Sequence, residues 1–266
     1  MCGIAGYSLS PGSSVNRTRA AQALLAAIAE RGADAVGYAH RSPGGSTVSV
    51  HKQRSGASAV LDRIAIPVDA HQVLLHVRDY TKGHPRIAAN NHPVRHGAVV
   101  GVHNGIILND DELMARHGYE RAEREMTVDS EVIFAAAEAT GSDARAFEEF
   151  HGSMAAAWLD ERRAELLYLA RGTGRPLWVG TTRHELFFAS TEHALEIAER
   201  YTGLRLRKRE VPEGTLVAVK GARAVRVRHF TADPSYRPDP LPAVRAPQEG
   251  AWCLERLAAL VTEPTS

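Results

Sequence analysis

Cys2 directly follows the initiator Met1. Methionine is generally removed when the second residue is small, which would make Cys2 the first residue. A thiol and an α-amine would then sit on one carbon. Such an amine titrates near about 7.7–8.0, well below a lysine, so at neutral pH it accepts the thiol's proton directly or through a water. A nucleophile activated by its own amino terminus is one form of the nucleophile–base pair; the plain alternative is that Cys2 is only a second residue. Three further positions combine a reactive or polar type with a telling place in the pattern. Asn104-Gly105 lies between two apolar runs and reads first as a β-hairpin turn. Arg78 ends an apolar run, where an arginine emerges to water. Asp129 precedes an apolar helix, as an N-cap or first-turn acid does. The thirteen histidines raise the question of a metal, but His92 and His96 stand in a proline-containing segment and no HExxH or paired CxxC occurs.

These residues need elements to hold them. Apolar spacing switches repeatedly between periods of two and 3.6. It predicts strands over 3–9, 36–41, 47–52 and 72–78, with a turn at Pro43-Gly44-Gly45, and two strands within 97–108. Later strands are predicted over 153–159, 165–170, 176–180, 185–189, 204–210, 215–219 and 223–229. Helices are predicted over 17–30, 110–117, 129–140, 192–200 and 249–262. The segment 231–248 is proline-rich and aperiodic, a linker or an extended wrap. The expected domain is 2–230, with 231–266 as linker and short terminal helix. Strands in runs with a few long helices indicate an α+β fold of sheets layered on helices.

With 266 residues the chain is one large domain or two small ones, able to hide about 70% of its unfolded surface. The 44% hydrophobic and 24% charged content is globular, and 32 basic against 31 acidic residues (net +1) removes the bulk electrostatic case for nucleic-acid binding. The basic stretches 205–209 and 222–228 alternate like solvated strand faces. Two cysteines, Cys2 and Cys253, cannot build a disulfide framework, so a reducing, cytoplasmic setting is expected. No run approaches the roughly 20 apolar residues of a membrane span, and the first residues lack the build of a signal peptide.

In order along the chain stand MCGIAGY (1–7), RGADAVG (31–37), HVRDYTKG (76–83), NNHP (90–93), HNGIILN (103–109), DSEV (129–132), RPLWVG (175–180) and FASTEHAL (188–195). Together they resemble the glutaminase domain of class II glutamine amidotransferases, over Cys2 to about Leu195. The resemblance implies a four-layer α-β-β-α sandwich, as in the amino-terminal-nucleophile hydrolases, with Cys2 as nucleophile. It makes the Asn104 side-chain amide and the Gly105 N–H the oxyanion hole, a role compatible with a turn. Arg78 becomes the clamp on the substrate's α-carboxylate, suited by its paired donors, and Asp129 the partner of its α-ammonium. Arg31 is placed near the cysteine, Asp34 as structural, and Thr81 near bound glutamine. The implied reaction is hydrolysis of the glutamine amide through a γ-glutamyl thioester to glutamate and ammonia, with no metal or organic cofactor.

The sequence also departs from the family. Asp79 stands where sugar-aminating members usually have an aromatic residue, Lys82 where histidine follows the threonine, and Ala35 where many have serine. Asp79 bears on closure of the substrate loop. After residue 230 only about 36 residues remain, short of a synthase domain. A free-standing glutaminase serving a separate synthase is therefore expected. The alternatives are a stand-alone hydrolase of another γ-glutamyl compound and a non-catalytic glutamine-sensing module. Trp252, Leu254, Leu257 and Leu260 either meet a partner or pack on the parent domain.

Overall fold

The computed structural model describes residues 2–41, 45, 47–237 and 242–262. The predicted turn at Pro43-Gly44 and the state of Met1 lie outside them. Sheet 1 holds β1 (Gly3–Leu9), β2 (Ala35–Arg41), β3 (Ser49–Gln53), β4 (Gln72–Arg78), β9 (Trp178–Thr181), β10 (Glu185–Ala189) and β11 (Arg207–Glu210), in the order β11-β9-β10-β1-β4-β2-β3. Sheet 2 holds β5 (Val94–His96), β6 (Val99–Ile107), β7 (Gly152–Asp160), β8 (Leu166–Arg171), β12 (Thr215–Lys220) and β13 (Arg223–His229), in the order β13-β12-β8-β7-β6-β5. The pairings are antiparallel.

Side-chain alternation sorts each strand between two cores. In β1, Ala5, Tyr7 and Leu9 pack with α1 (Arg17–Ile28), α4 (Glu192–Thr202) and α5 (Pro247–Thr262), whereas Ile4 joins a second core between the sheets. In β4, Val73, Leu75 and Val77 face the helices and Leu74 faces sheet 2. In β6, Val100 and Val102 face sheet 1, and Val99 and Ile107 face α2 (Asp110–His117) and α3 (Glu131–Thr140). The result is the expected α-β-β-α sandwich. Helix ends follow local chemistry: the Asn16 side chain accepts from Arg19 N–H and that of Thr191 from Ala194 N–H, closing otherwise orphaned donors.

Two expectations need correction. Asn104-Gly105 is not a hairpin turn; it lies inside β6, whose nine residues pair continuously with β7. The reversal falls earlier, between β5 and β6, where Gly97 takes a φ of +52°. The apolar runs on both sides of Asn104 are one strand, buried on both faces over its first six residues. Asp129 does not cap α3: the helix starts at Glu131, Ser130 is its N-cap residue, and the Asp129 carboxylate turns to β6.

The C-terminal segment wraps the sandwich. Asp233 accepts from Gly152 N–H and from the N–H groups of Ser235 and Tyr236. In α5, Cys253 and Leu257 are buried in the helix-side core with Leu254 packed against it, while Trp252 is 51% exposed.

Candidate functional site

The site is at one end of the sandwich, where β1 begins and β4 ends. The register sets Gly3 opposite Val77, so Cys2 comes beside Arg78. The Cys2 Sγ–H donates to the Asp79 carbonyl at 3.5 Å, and the Cys2 carbonyl accepts from Arg31 Nε at 2.9 Å. Burial pushes the thiol up from its ordinary value; the bond to Asp79 and the Arg78 charge pull the other way. Arg31 itself is buried at the end of the 3-10 turn Ala29–Arg31. Gly32 follows because a Cβ there would come within 2.4 Å of the Arg78 backbone.

Arg78 does not emerge to water; it is 2% exposed. It donates to Asn91 Oδ1 at 2.6 Å, to the Lys82 carbonyl at 2.9 Å and to the Gly83 carbonyl. Its guanidinium thus shapes the loop after β4, in which Thr81 is exposed. Asp34, half-buried, accepts from Tyr80 N–H at 2.9 Å, and Asp34 N–H donates to the Arg78 carbonyl at 2.9 Å. This fits the structural role expected of Asp34.

Asn104 occupies the inter-sheet face of β6 and is 0% exposed, yet neither its Oδ1 nor its Nδ2 has a hydrogen-bond partner among the described residues. Buried side-chain amides are normally satisfied. Gly105 follows with φ +151°, and a Cβ there would meet the Ser153 carbonyl at 2.0 Å, so only glycine fits. Beside them, His76 Nε2 bonds the His103 carbonyl at 3.1 Å, linking β4 to β6. His92 stacks on His76, with centroids 4.1 Å apart, and both its ring nitrogens are buried and unpartnered. Burial pulls His76 and His103 down to about 3 and His92 well below its ordinary value, so these rings are neutral at physiological pH. The His103 ring reaches the other way, to Ser130 Oγ at 2.8 Å.

Asp129 is buried, and its Oδ2 accepts from Ile107 N–H at 2.8 Å. Burial raises its carboxyl to about 6 against that hydrogen bond, and nearby Asp110 adds to the rise. Arg78 lies within electrostatic reach of both Cys2 and Asp129. Lys82, one of the departures, is committed elsewhere: its Nζ bonds Asp110 at 2.7 and 2.8 Å and Asp111 at 2.7 Å. Arg121 joins the same acids and Glu131, which in turn holds His96.

Cys2, Arg31, Arg78, Asn104, Gly105 and Asp129 are thus tied to this end of the sandwich, while Thr81 is exposed on the loop after β4. Residue-by-residue reading missed two positioning residues. Asn91 holds Arg78 and the Pro85 carbonyl, and Asn90 Oδ1 accepts from Thr127 and Val128 N–H just before Asp129. Their signal was the paired Asn-Asn of NNHP, read only as part of a resemblance. Among the described residues, no group of three or more His, Cys, Asp or Glu is placed to hold a metal ion, and no helix is long and apolar enough to cross a membrane.

Two antiparallel sheets between helix layers, with Cys2 just before the first strand, give the fold that the sequence resemblance implies. Residues 82–197 match the family model described as the glutamine amidotransferase domain. Among solved structures it is similar to the glutamine phosphoribosylpyrophosphate (PRPP) amidotransferase from B. subtilis complexed with ADP and GMP. The TM-score is 0.66 at 17% identity, over 86% of this chain and 49% of that one. A structure described as the allosteric regulatory enzyme of purine biosynthesis gives 0.68 at 18%, again over 86% and 49%. The chain therefore spans about half the length of these structures, and the likeness is one of fold. No curated protein matches the sequence.

Proposed function

We propose that the domain hydrolyses the side-chain amide of glutamine, with Cys2 as nucleophile once Met1 is removed. The observation that carries this reading is the Asn104 amide, buried without a partner on the face of β6 that looks toward sheet 1. Burying an amide unsatisfied costs about 1–3 kcal/mol, a cost offset when a ligand oxygen takes its N–H. Asn104 Nδ2 and the Gly105 N–H together hold the oxygen of the tetrahedral intermediate.

The Cys2 thiol passes its proton to its own α-amine, and the thiolate attacks the amide carbon. The carbonyl electrons move onto the oxygen. On collapse the carbon–nitrogen bond breaks, and the ammonium of Cys2 returns its proton to the departing nitrogen, which leaves as ammonia. The γ-glutamyl thioester is then cleaved by water along the same proton path, giving glutamate. Arg78 holds the substrate's α-carboxylate, and the Asp129 carboxylate takes the α-ammonium. A site matched to both charges rejects compounds lacking either. Arg31 fixes the Cys2 backbone through its carbonyl. Thr81 contacts glutamine only after the exposed loop moves inward. The ammonia serves a synthase unit beyond this domain, and a reducing cytoplasm keeps Cys2 a free thiol.

The test is the intact mass of the purified protein before and after treatment with a diazo-ketone glutamine analogue, with Cys2→Ala as control. Loss of Met1 and one adduct on the wild type alone is the expected result, with ammonia released from glutamine. A retained Met1, or no adduct at any concentration, overturns the assignment in favour of a binding module.

A further inference from the structure

Asp79, where sugar-aminating members of the resembled family usually have an aromatic residue, has a partner from the C-terminal segment. Its carboxylate accepts from Arg245 Nε at 3.2 Å. The Arg245 and Ala246 N–H groups both donate to the Glu30 carbonyl at 2.8 Å. Two paths therefore run from Arg245 to the candidate nucleophile. One goes through Asp79, whose own carbonyl holds the Cys2 Sγ. The other goes through Glu30 to Arg31, which holds the Cys2 carbonyl. The segment is anchored just downstream: Glu249 accepts from Ser58 N–H and Oγ–H, Arg256 pairs with Asp62, and the Leu260 carbonyl accepts from Arg19.

We propose that Arg245 is a positioning residue of the glutamine site, its ion pair with Asp79 setting the loop after β4. The inference rests on the glutaminase reading above. Arg78 and Tyr80 flank Asp79 in the chain, so fixing Asp79 from outside fixes the backbone between the carboxylate clamp and the exposed Thr81. The arginine also offsets the Asp79 charge, which otherwise opposes ionisation of the Cys2 thiol. A partly exposed ion pair that sets a loop has a measurable signature: salt weakens it.

Four variants test this: Arg245→Gln, Arg245→Lys, Asp79→Asn and the double Asp79→Asn/Arg245→Gln. Ammonia release from glutamine is followed in about 0.02 M and about 0.5 M salt, where the screening length falls severalfold. Either neutralising single change is expected to raise KM for glutamine about three- to fivefold in low salt, the scale of a partly exposed ion pair, with kcat within about twofold. Arg245→Lys recovers part of the loss, and the double variant is no worse than either single. High salt moves the wild type toward the variants and leaves the variants unchanged. Additive effects in the double variant, or singles with wild-type KM in low salt, overturn the inference while leaving the glutaminase reading intact. A wild type that takes no diazo-ketone label and releases no ammonia overturns both. Thermal unfolding of each variant separates a local effect from loss of α5 docking: a fall in stability that tracks KM across the four variants counts against positioning.

Discussion

Arg41 and Arg78 are two buried arginines on the same face of sheet 1, paired at opposite ends of the β2–β4 ladder, where Arg41 faces Gln72 and Arg78 faces Ala35. Burial lowers both, Arg41 to about 10. Their surroundings differ. Arg41 donates to Gln72 Oε1 at 2.8 and 2.6 Å, to the Asp160 carbonyl at 2.8 Å and to the Leu166 carbonyl at 2.7 Å. It spans from sheet 1 to β7 and β8 and closes that end. Arg78 is held by a loop and by Asn91, and near it lie the unpartnered atoms of Asn104, His76 and His92. One arginine joins finished structure; the other stands in a polar layer with capacity to spare. Unspent hydrogen-bonding capacity in a buried layer separates the candidate end of the sandwich from the other end more sharply than burial or charge does.

The contrast can be broken by mutation. Asn104→Ala is expected to lower the glutaminase rate by about 10²–10³, the usual effect of removing one oxyanion donor, with a stability change below about 1 kcal/mol, because no internal hydrogen bond is lost. Initial rates and thermal unfolding on one preparation check it. A large loss of stability would show that Asn104 is a scaffold residue like Arg41. Arg41→Met is the mirror experiment. It strands Gln72 and two carbonyls, so unfolding in urea is expected to show a loss of about 2–3 kcal/mol, while KM for glutamine stays at its wild-type value. A change in KM without loss of stability would erase the distinction between the ends.

The smaller test concerns Asp129. Its carboxyl titrates at about 6 in the fold against an ordinary 3.8, so the native state binds this proton more tightly than the unfolded chain. The resulting stability is fully present below about pH 4 and is lost as pH rises through about 6. Asp129→Asn is therefore expected to stabilise the protein at pH 7.5 by about 3 kcal/mol and to have little effect near pH 4. The Asn oxygen still accepts from Ile107 N–H. The same change is expected to raise KM, and wild-type KM itself to rise below pH 6 as the carboxylate proposed to receive the ammonium becomes neutral. Unfolding and KM measured across pH 4–8 check both signs. A stability profile identical in wild type and variant would mean that Asp129 carries no buried charge.

Most elements were legible from local pattern. Strands such as 3–9, 72–78, 185–189 and 223–229 coincide with the predicted ranges, because alternation and apolar runs are properties of short windows. Asn104-Gly105 departs from its local signal for the same reason: within a window, Asn-Gly between apolar runs is a turn, and only the pairing partner distinguishes a turn from a strand interior. The glycine at 105 answers to the Ser153 carbonyl, 48 residues away in the chain. The ion pair of Arg245 with Asp79 had no local signal, since it comes from an aperiodic, proline-rich stretch.

The sequence by itself determined the alternation of strands and helices, a globular chain of near-zero net charge, and the presence of a cysteine at position 2. It also supplied, in order, motifs that resemble those of a glutaminase domain. Tertiary structure alone decided which of these residues face the space between the sheets, that Arg78 turns inward, that Asn104 is left unpaired, and that the tail returns to Asp79. Periodicity is written into neighbouring residues, whereas satisfaction of a hydrogen bond depends on atoms that only long-range pairing brings within about 3 Å of one another.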